Sequence, residues 1–271
     1  MSTRARKVVL LGGLGYTGRV LSSLLSEQGH SVVSTTRSAK EERPAETQAS
    51  LVWFDLLDEQ SWHNIPSTDW LVWLFPAEPL DSIARISPLI KEGNRRVVVI
   101  GTTSSFISTI VHEHVTEEVP LKLALPRVAG EELLRGLGAN VLRSAGIYGP
   151  GRNPLDWLRR GGIQLGNYVN LIHVEDLASA ILAVLESSVS GKQYIVSDGT
   201  PRRWADIAAW AAGKKFILKS AAQAVQSHSS RRLSNARLLS EIQPAFHHLD
   251  LFKELEGLEM QRPASSLDPQ H

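Results

Sequence analysis

Val8-Val9-Leu10-Leu11-Gly12-Gly13-Leu14-Gly15-Tyr16-Thr17-Gly18 joins an apolar strand to glycines spaced GxxGxxG, and a helical run follows from Arg19 to Glu27. A parallel sheet begins this way when its first turn has to admit a dinucleotide. Gly12 permits the tight turn, Gly15 lets backbone amides approach a pyrophosphate with no Cβ in the way, and Gly18 lets the helix pack close to the strand. The phosphates then meet the free N–H groups and the positive dipole end of the helix. A glycine-rich turn without a ligand has the same spacing, so the rest of the chain has to decide.

The bulk properties narrow the field. At 271 residues with 42% apolar content, the chain is long enough for one large α/β domain and its core. Its 29 basic and 28 acidic residues leave a net charge of +1, which gives no footprint for nucleic acid or a membrane surface. The sequence contains no cysteine, which excludes disulfides, a thiol nucleophile and thiolate metal ligation. No apolar run approaches the ~18 residues of a membrane span. Arg4, Arg6 and Lys7 lead into a short apolar stretch that runs into the glycine loop, so a first strand is expected there and not a signal peptide. A cytoplasmic protein is the expectation.

Strand and helix patterns alternate along the chain, predicting a Rossmann doubly wound parallel sheet. Strands are expected at 8–11, 31–35, 51–54, 70–74, 96–100 and 140–143, with helices at 80–91 and 128–137. The 70–74 segment is almost wholly apolar, as a strand covered on both faces should be. Beyond Gly149-Pro150-Gly151 the signals are a short helix at 154–160, a strand at 168–172, an amphipathic helix at 174–185, a strand at 194–196 and a helix at 204–212. The tail from Gly257 reads as polar and frayed. One domain over 1–271 is expected. Its core covers about 6–150 plus 168–196, and the remaining C-terminal segments form a small substrate lobe.

Further segments fall in a specific order after the expected strands: Arg37, then Asp55-Leu56, Phe75-Pro76-Ala77, Thr102-Thr103-Ser104-Ser105, the run Leu142-Arg143-Ser144-Ala145-Gly146-Ile147-Tyr148-Gly149-Pro150-Gly151, and Ile172-His173-Val174-Glu175-Asp176-Leu177-Ala178. With the glycine loop, they resemble the atypical and extended short-chain dehydrogenase/reductases, the NAD-dependent epimerase/dehydratase group, over roughly Val8 to Leu239. The resemblance implies a cofactor held by Gly12, Gly13, Leu14, Gly15, Tyr16, Thr17 and Gly18. It places Asp55 and Leu56 at the adenine, Phe75 and Pro76 beside the second ribose, and Ile147 at the nicotinamide end. Thr102, Thr103 and Ser104 would meet the substrate oxygen. A small-molecule substrate is implied, and a homodimer is compatible.

The choice of cofactor rests on charge. An acid at the end of the second strand would bind the ribose diol of NAD and repel the 2′-phosphate of NADP. Arg37 stands there with Lys40 nearby, and a guanidinium suits phosphate. NADP is therefore expected, with NAD the weaker alternative.

The chain departs from the group at the proton relay. Members that catalyse carry YxxxK, in which the Tyr transfers the proton and the Lys holds the nicotinamide ribose. Here the aligned positions are Leu123 and Arg127. Arg127 can bind a ribose but is a poor proton shuttle. Among the four tyrosines, Tyr148 and Tyr168 are the ones expected near the cleft, and Tyr148 is the candidate catalytic group although packing is the commoner role in such a turn. His112-Glu113-His114 is read as a surface loop with no metal site. Arg152 and Arg231 are candidates for substrate phosphates, and Trp157 and Trp204 for an aromatic wall. Two functions follow: an NADP-dependent oxidoreductase or epimerase without the usual relay, or a non-catalytic NADP-binding sensor or assembly factor.

Overall fold

β1 (Lys7–Leu11) lies at the centre of a seven-stranded parallel sheet, in a computed structural model that describes residues 4–37, 49–91, 95–108, 110, 113–217 and 230–262. The chain continues through α1 (Tyr16–Glu27), β2 (Ser31–Thr36), β3 (Ser50–Trp53), β4 (Trp70–Trp73), α2 (Leu80–Lys91) and β5 (Arg96–Thr102). After β6 (Glu113–Val115) come α3 (Pro126–Gly136), β7 (Asn140–Ser144), β8 (Gly146–Tyr148), α4 (Pro154–Arg159), β9 (Tyr168–Val169), β10 (Leu171–His173) and α5 (Val174–Glu186). The described part ends with β11 (Gln193–Val196), β12 (Arg202–Arg203), α6 (Trp204–Gly213), β13 (Arg231–Leu233), α7 (Ala236–Glu241) and α8 (Leu251–Met260).

The sheet order is β11-β7-β5-β4-β1-β2-β3. The chain winds outward from β1 through β2 to β3, then returns to place β4 on the other side of β1. The register sets Val8 to Leu11 opposite Trp70 to Trp73. Connections leave β1 and β4 in opposite directions, so a crevice opens between them at the carboxyl ends of the strands, where such sheets take ligands.

Side-chain alternation divides the core into two layers. Val8, Leu10, Val72 and Val98 face α1 and α5, through Leu21, Leu25, Leu177 and Ile181. Val9, Leu11, Leu71, Trp73 and Val99 face α2 and α3, through Ile83, Ile86 and Leu134. A third cluster, with Leu155, Leu158, Trp204, Ile207 and Leu251, fills the C-terminal lobe.

Three expectations need correction. The strand expected at 168–172 is two strands broken at Asn170, whose side chain donates to the Arg231 carbonyl and accepts from the Leu233 amide. The polar tail is helical up to Met260, because Asp250 caps α8 and Leu251 and Leu255 are buried in the lobe. Trp204 is buried and meets Trp157 edge-on at 6.1 Å, so the pair is lobe core and not an open wall. No helix among the described residues is long and apolar enough to cross a membrane.

Candidate functional site

A cleft of about 860 Å³ opens over the carboxyl ends of β3, β2, β1 and β4. Its floor is the turn after β1. Gly12 has a φ of +80°, the left-handed region glycine enters at no steric cost, and its amide donates to the Thr35 hydroxyl at 2.9 Å. The Gly13 amide donates to Leu10 and the Gly15 amide to Gly12, which closes the turn directly onto α1. Space is as tight as the sequence reading requires. A Cβ on Gly18 would lie 2.4 Å from the Gly13 carbonyl oxygen, and one on Gly13 would lie 2.4 Å from the Ser34 hydroxyl. Gly15 caps α1 in an extended conformation with no side-chain cap, so the first amides of the helix are directed outward.

The cleft wall gathers most of the expected cofactor residues. Gly12, Leu14 and Gly15 line it from the loop, Thr35, Thr36 and Arg37 from β2, Phe54, Asp55, Leu56 and Leu57 from the turn after β3, and Phe75, Pro76, Glu78 and Pro79 from the exit of β4. Asp55 accepts from the Leu57 amide at 2.9 Å, which sets its turn. Thr17 and Gly18 belong to the first turn of α1. Lys40 lies outside the described residues. The backbone cradle and the unpaired amides of the first helical turn suit the pyrophosphate of a nicotinamide dinucleotide, and the Arg37 guanidinium stands at the edge of the same cleft.

Tyr16 begins α1, but its ring does not line the cleft. It lies under the Arg152 guanidinium, 5.7 Å from ring centroid to carbon, and burial raises its hydroxyl to about 12. Thr102, Thr103 and Ser104 sit two strands away from β1, at the end of β5. Thr102 Oγ1 accepts from the Ser104 amide and lies 3.0 Å from Ser104 Oγ. Lys122, which the sequence reading passed over, donates its ammonium to the Ser104 carbonyl at 3.1 Å. Leu123 is 59% exposed. Ile147 is in β8, paired with Ile172 of β10.

Two expectations are revised by their contacts. Tyr148 is fully buried and packs edge-on against His173 at 5.2 Å. Burial pushes its hydroxyl far above the usual tyrosine range, with Asp198 adding to the effect, so it is a packing residue and not the cleft-facing group expected. Arg231 donates to the carbonyls of Thr103 and Phe106, holding the hydroxyl-bearing turn from beneath instead of facing a phosphate.

Arg127 also has other partners. Its Nε donates to Glu131 at 2.9 Å and an Nη reaches the Ile100 carbonyl at 3.5 Å. Glu131 in turn meets Arg143 at 2.7 Å, and Arg143 contacts Glu132 at 2.7 Å, Gln193 at 2.8 Å and the Ser105 hydroxyl at 3.1 Å. The side chains of Arg143 and Glu131 are both 0% exposed. α3 is fastened to the sheet by this buried ion network. A charge inside the apolar run Val141-Leu142-Arg143 was the available signal.

A second cluster was missed. His173 and His248 stack with centroids 3.6 Å apart, and His248 lies 3.0 Å from Glu175 and 3.2 Å from Glu254. Ligand-type atoms of His173, His248 and Glu254 fall within 4.8 Å of one another. Stacked rings direct their lone pairs side by side, so they do not converge on an ion. The geometry is that of an imidazole held between two carboxylates, which favour its protonated form. Glu113 and His114 are consecutive in β6 and take opposite faces, while His112 lies outside the described residues.

Residues 8–74 match the sequence profile of the NAD dependent epimerase/dehydratase family. No curated protein matches the sequence. Among solved structures, a functionally unknown conserved protein from Silicibacter pomeroyi is 24% identical, with a TM-score of 0.74 over 94% of this chain and 99% of that one. A protein from Methylobacillus flagellatus described as an NAD-dependent epimerase/dehydratase is 23% identical, with a TM-score of 0.76 over 94% and 98%. The dTDP-glucose 4,6-dehydratase of Bacillus anthracis, solved with NAD, is 17% identical, with a TM-score of 0.74 over 95% and 97%. At these identities the structural matches establish the fold.

Proposed function

We propose, from the match of residues 8–74 to the NAD dependent epimerase/dehydratase family on a chain with the fold of that group, that the cleft holds NADP(H) and that the protein is an oxidoreductase or epimerase of a small molecule working without the Tyr-Lys pair. The cofactor would supply hydride exchange at its nicotinamide. One observation supports this reading above the rest: the glycine cradle and Arg37 line one cleft, beside the strand-order reversal between β1 and β4. The pyrophosphate belongs on the amides at the start of α1, and the 2′-phosphate belongs with Arg37. Asp55 and Leu56 close the adenine end. Thr102 and Ser104 share a hydroxyl contact that can polarise a substrate oxygen, and Lys122 brings a proton-bearing ammonium to the same turn.

A second reading, a non-catalytic NADP sensor, draws on Leu123 and on the engagement of Arg127 with Glu131. Calorimetric titration with NADPH, NADP⁺, NADH and NAD⁺ tests the cofactor reading. The expected result is micromolar binding of the phosphorylated pair, and no binding of any of the four overturns it. A strong preference for one redox state favours the sensor. Dehydrogenase activity that appears only after L123Y and R127K are combined also favours the sensor.

A further inference from the structure

Resting on that cofactor reading, we propose that Glu78 is a positioning residue for the cofactor, accepting hydrogen bonds from the two hydroxyls of the nicotinamide-side ribose. The topology gives the direction. Arg37 ends β2, Asp55 to Leu57 follow β3, and the glycine loop follows β1, while Phe75, Pro76, Glu78 and Pro79 follow β4 on the far side of the loop. A dinucleotide with its 2′-phosphate at Arg37 and its pyrophosphate over β1 carries its second nucleoside toward β4. Of the four residues lining the cleft there, Glu78 has the polar side chain.

The chemistry matches. A ribose presents two neighbouring O–H donors, and a carboxylate presents two coplanar acceptors. The same pairing lets an acid at the end of a second strand hold the adenosine ribose. In this chain Arg37 takes that second-strand place, and the acid stands at the opposite end of the cleft. The group that holds the nicotinamide ribose in relatives with an intact relay is diverted here, since Arg127 is drawn onto Glu131 and the Ile100 carbonyl.

Glu78 is also well supported. Its amide donates to the Pro76 carbonyl at 2.8 Å, and the Ile83 amide donates to Pro79 at 3.2 Å as α2 begins. Behind it, α3 presses its backbone onto the same loop, for a Cβ on Gly130 would lie 1.9 Å from the Ala77 oxygen. The loop is thus held from both sides, and the backbone that carries the exposed acid has a fixed place.

The test compares ligands with and without the second ribose. The full-length protein, Glu78→Ala and Glu78→Gln are titrated by calorimetry with NADPH and with adenosine 2′,5′-bisphosphate, which ends before the nicotinamide ribose. Glu78→Ala should weaken NADPH about tenfold, the size of one charge-assisted hydrogen bond, and leave the bisphosphate within about twofold. Glu78→Gln should retain part of the NADPH affinity through its remaining carbonyl. Unchanged NADPH affinity in Glu78→Ala overturns the assignment, as does an equal loss of both ligands, which would mark a structural effect. If the unaltered protein binds neither ligand, the cofactor reading itself has failed, a result distinct from the other two.

Discussion

Arg37 can be isolated at the scale of single residues, because it lines the cleft and its side chain is exposed. Arg37→Ala should weaken NADPH by about ten- to a hundredfold, the loss of paired charge-assisted bonds, and leave NADH nearly unchanged, as read by titration of each. An unaltered NADPH-to-NADH ratio would mean the guanidinium is a solvated surface charge. Gly18 has the opposite character. Gly18→Ala forces a methyl group against the Gly13 carbonyl, and overpacking of this kind costs about 1–3 kcal/mol or more. Its denaturation midpoint should fall and its cofactor binding should be lost together. The places of both residues were legible in the sequence because they are local: Gly18 stands in the first turn of the helix that the loop opens, and Arg37 stands at the end of its own strand. Tyr148 was not legible, since its burial depends on His173, 25 positions further along the chain and in another element.

At the scale of elements, α3 is fastened to the sheet by Glu131 and Arg143. Removing one member of a buried pair leaves an uncompensated charge and costs about 3–5 kcal/mol. Glu131→Ala should destabilise the protein by that amount in a urea melt, and Arg127→Ala, at the half-exposed edge of the network, should cost far less.

A second fastening is sensitive to pH. The amides of His247 and His248 donate to the buried carboxylate of Asp176 at 2.8 and 3.0 Å, which lays the segment before α8 over the start of α5. Burial pulls the His248 pKa down, but the hydrogen bond it donates to Glu175 and the charges of Asp176 and Glu254 outweigh it and hold the group above its ordinary 6.5. Its contribution is complete below 6.5 and is lost as pH rises through the raised value. Burial lowers His173, and the neighbouring His248 lowers it further. Its contribution is complete above 6.5 and is lost as pH falls through the lowered value. Protection of the amides of residues 247–260 from exchange, taken relative to the intrinsic rate at each pH, should therefore be greatest in a window that brackets pH 6.5. In His248→Gln the alkaline side of that window should flatten, and a profile that keeps its alkaline limb would refute the account. The sequence indicated α5 by its periodicity and its acidic first turn. It gave no sign of this clasp, because the partners lie more than seventy residues apart.

At the scale of the whole molecule, the cleft spans four strands of the sheet, so a ligand that fills it should stabilise the fold as a unit. At a hundred times its dissociation constant, NADPH should add about 2.7 kcal/mol and raise the melting temperature by about 5–10 °C, measured by calorimetric scans. A rise with NADPH that is absent with NADH would support the assignment of Arg37. The parallel sheet was legible almost to the residue, since buried strands of a doubly wound sheet declare themselves by unbroken apolar runs. In the lobe, α4 and α6 were legible but the short strands were not, for β9, β12 and β13 are two or three residues long and depend on partners far away in sequence.

The clasp on Asp176 has a consequence for how the chain comes into being. Protein synthesis delivers the strands from β1 to β11, and with them the entire cofactor cleft, before it delivers His247 and His248. Until those two amides leave the ribosome, a carboxylate that is 1% exposed in the finished protein stays open to water at the head of α5, without the two donors that let it be covered. A nascent chain can complete its nucleotide half early, whereas the lobe cannot close until its final helix has been made.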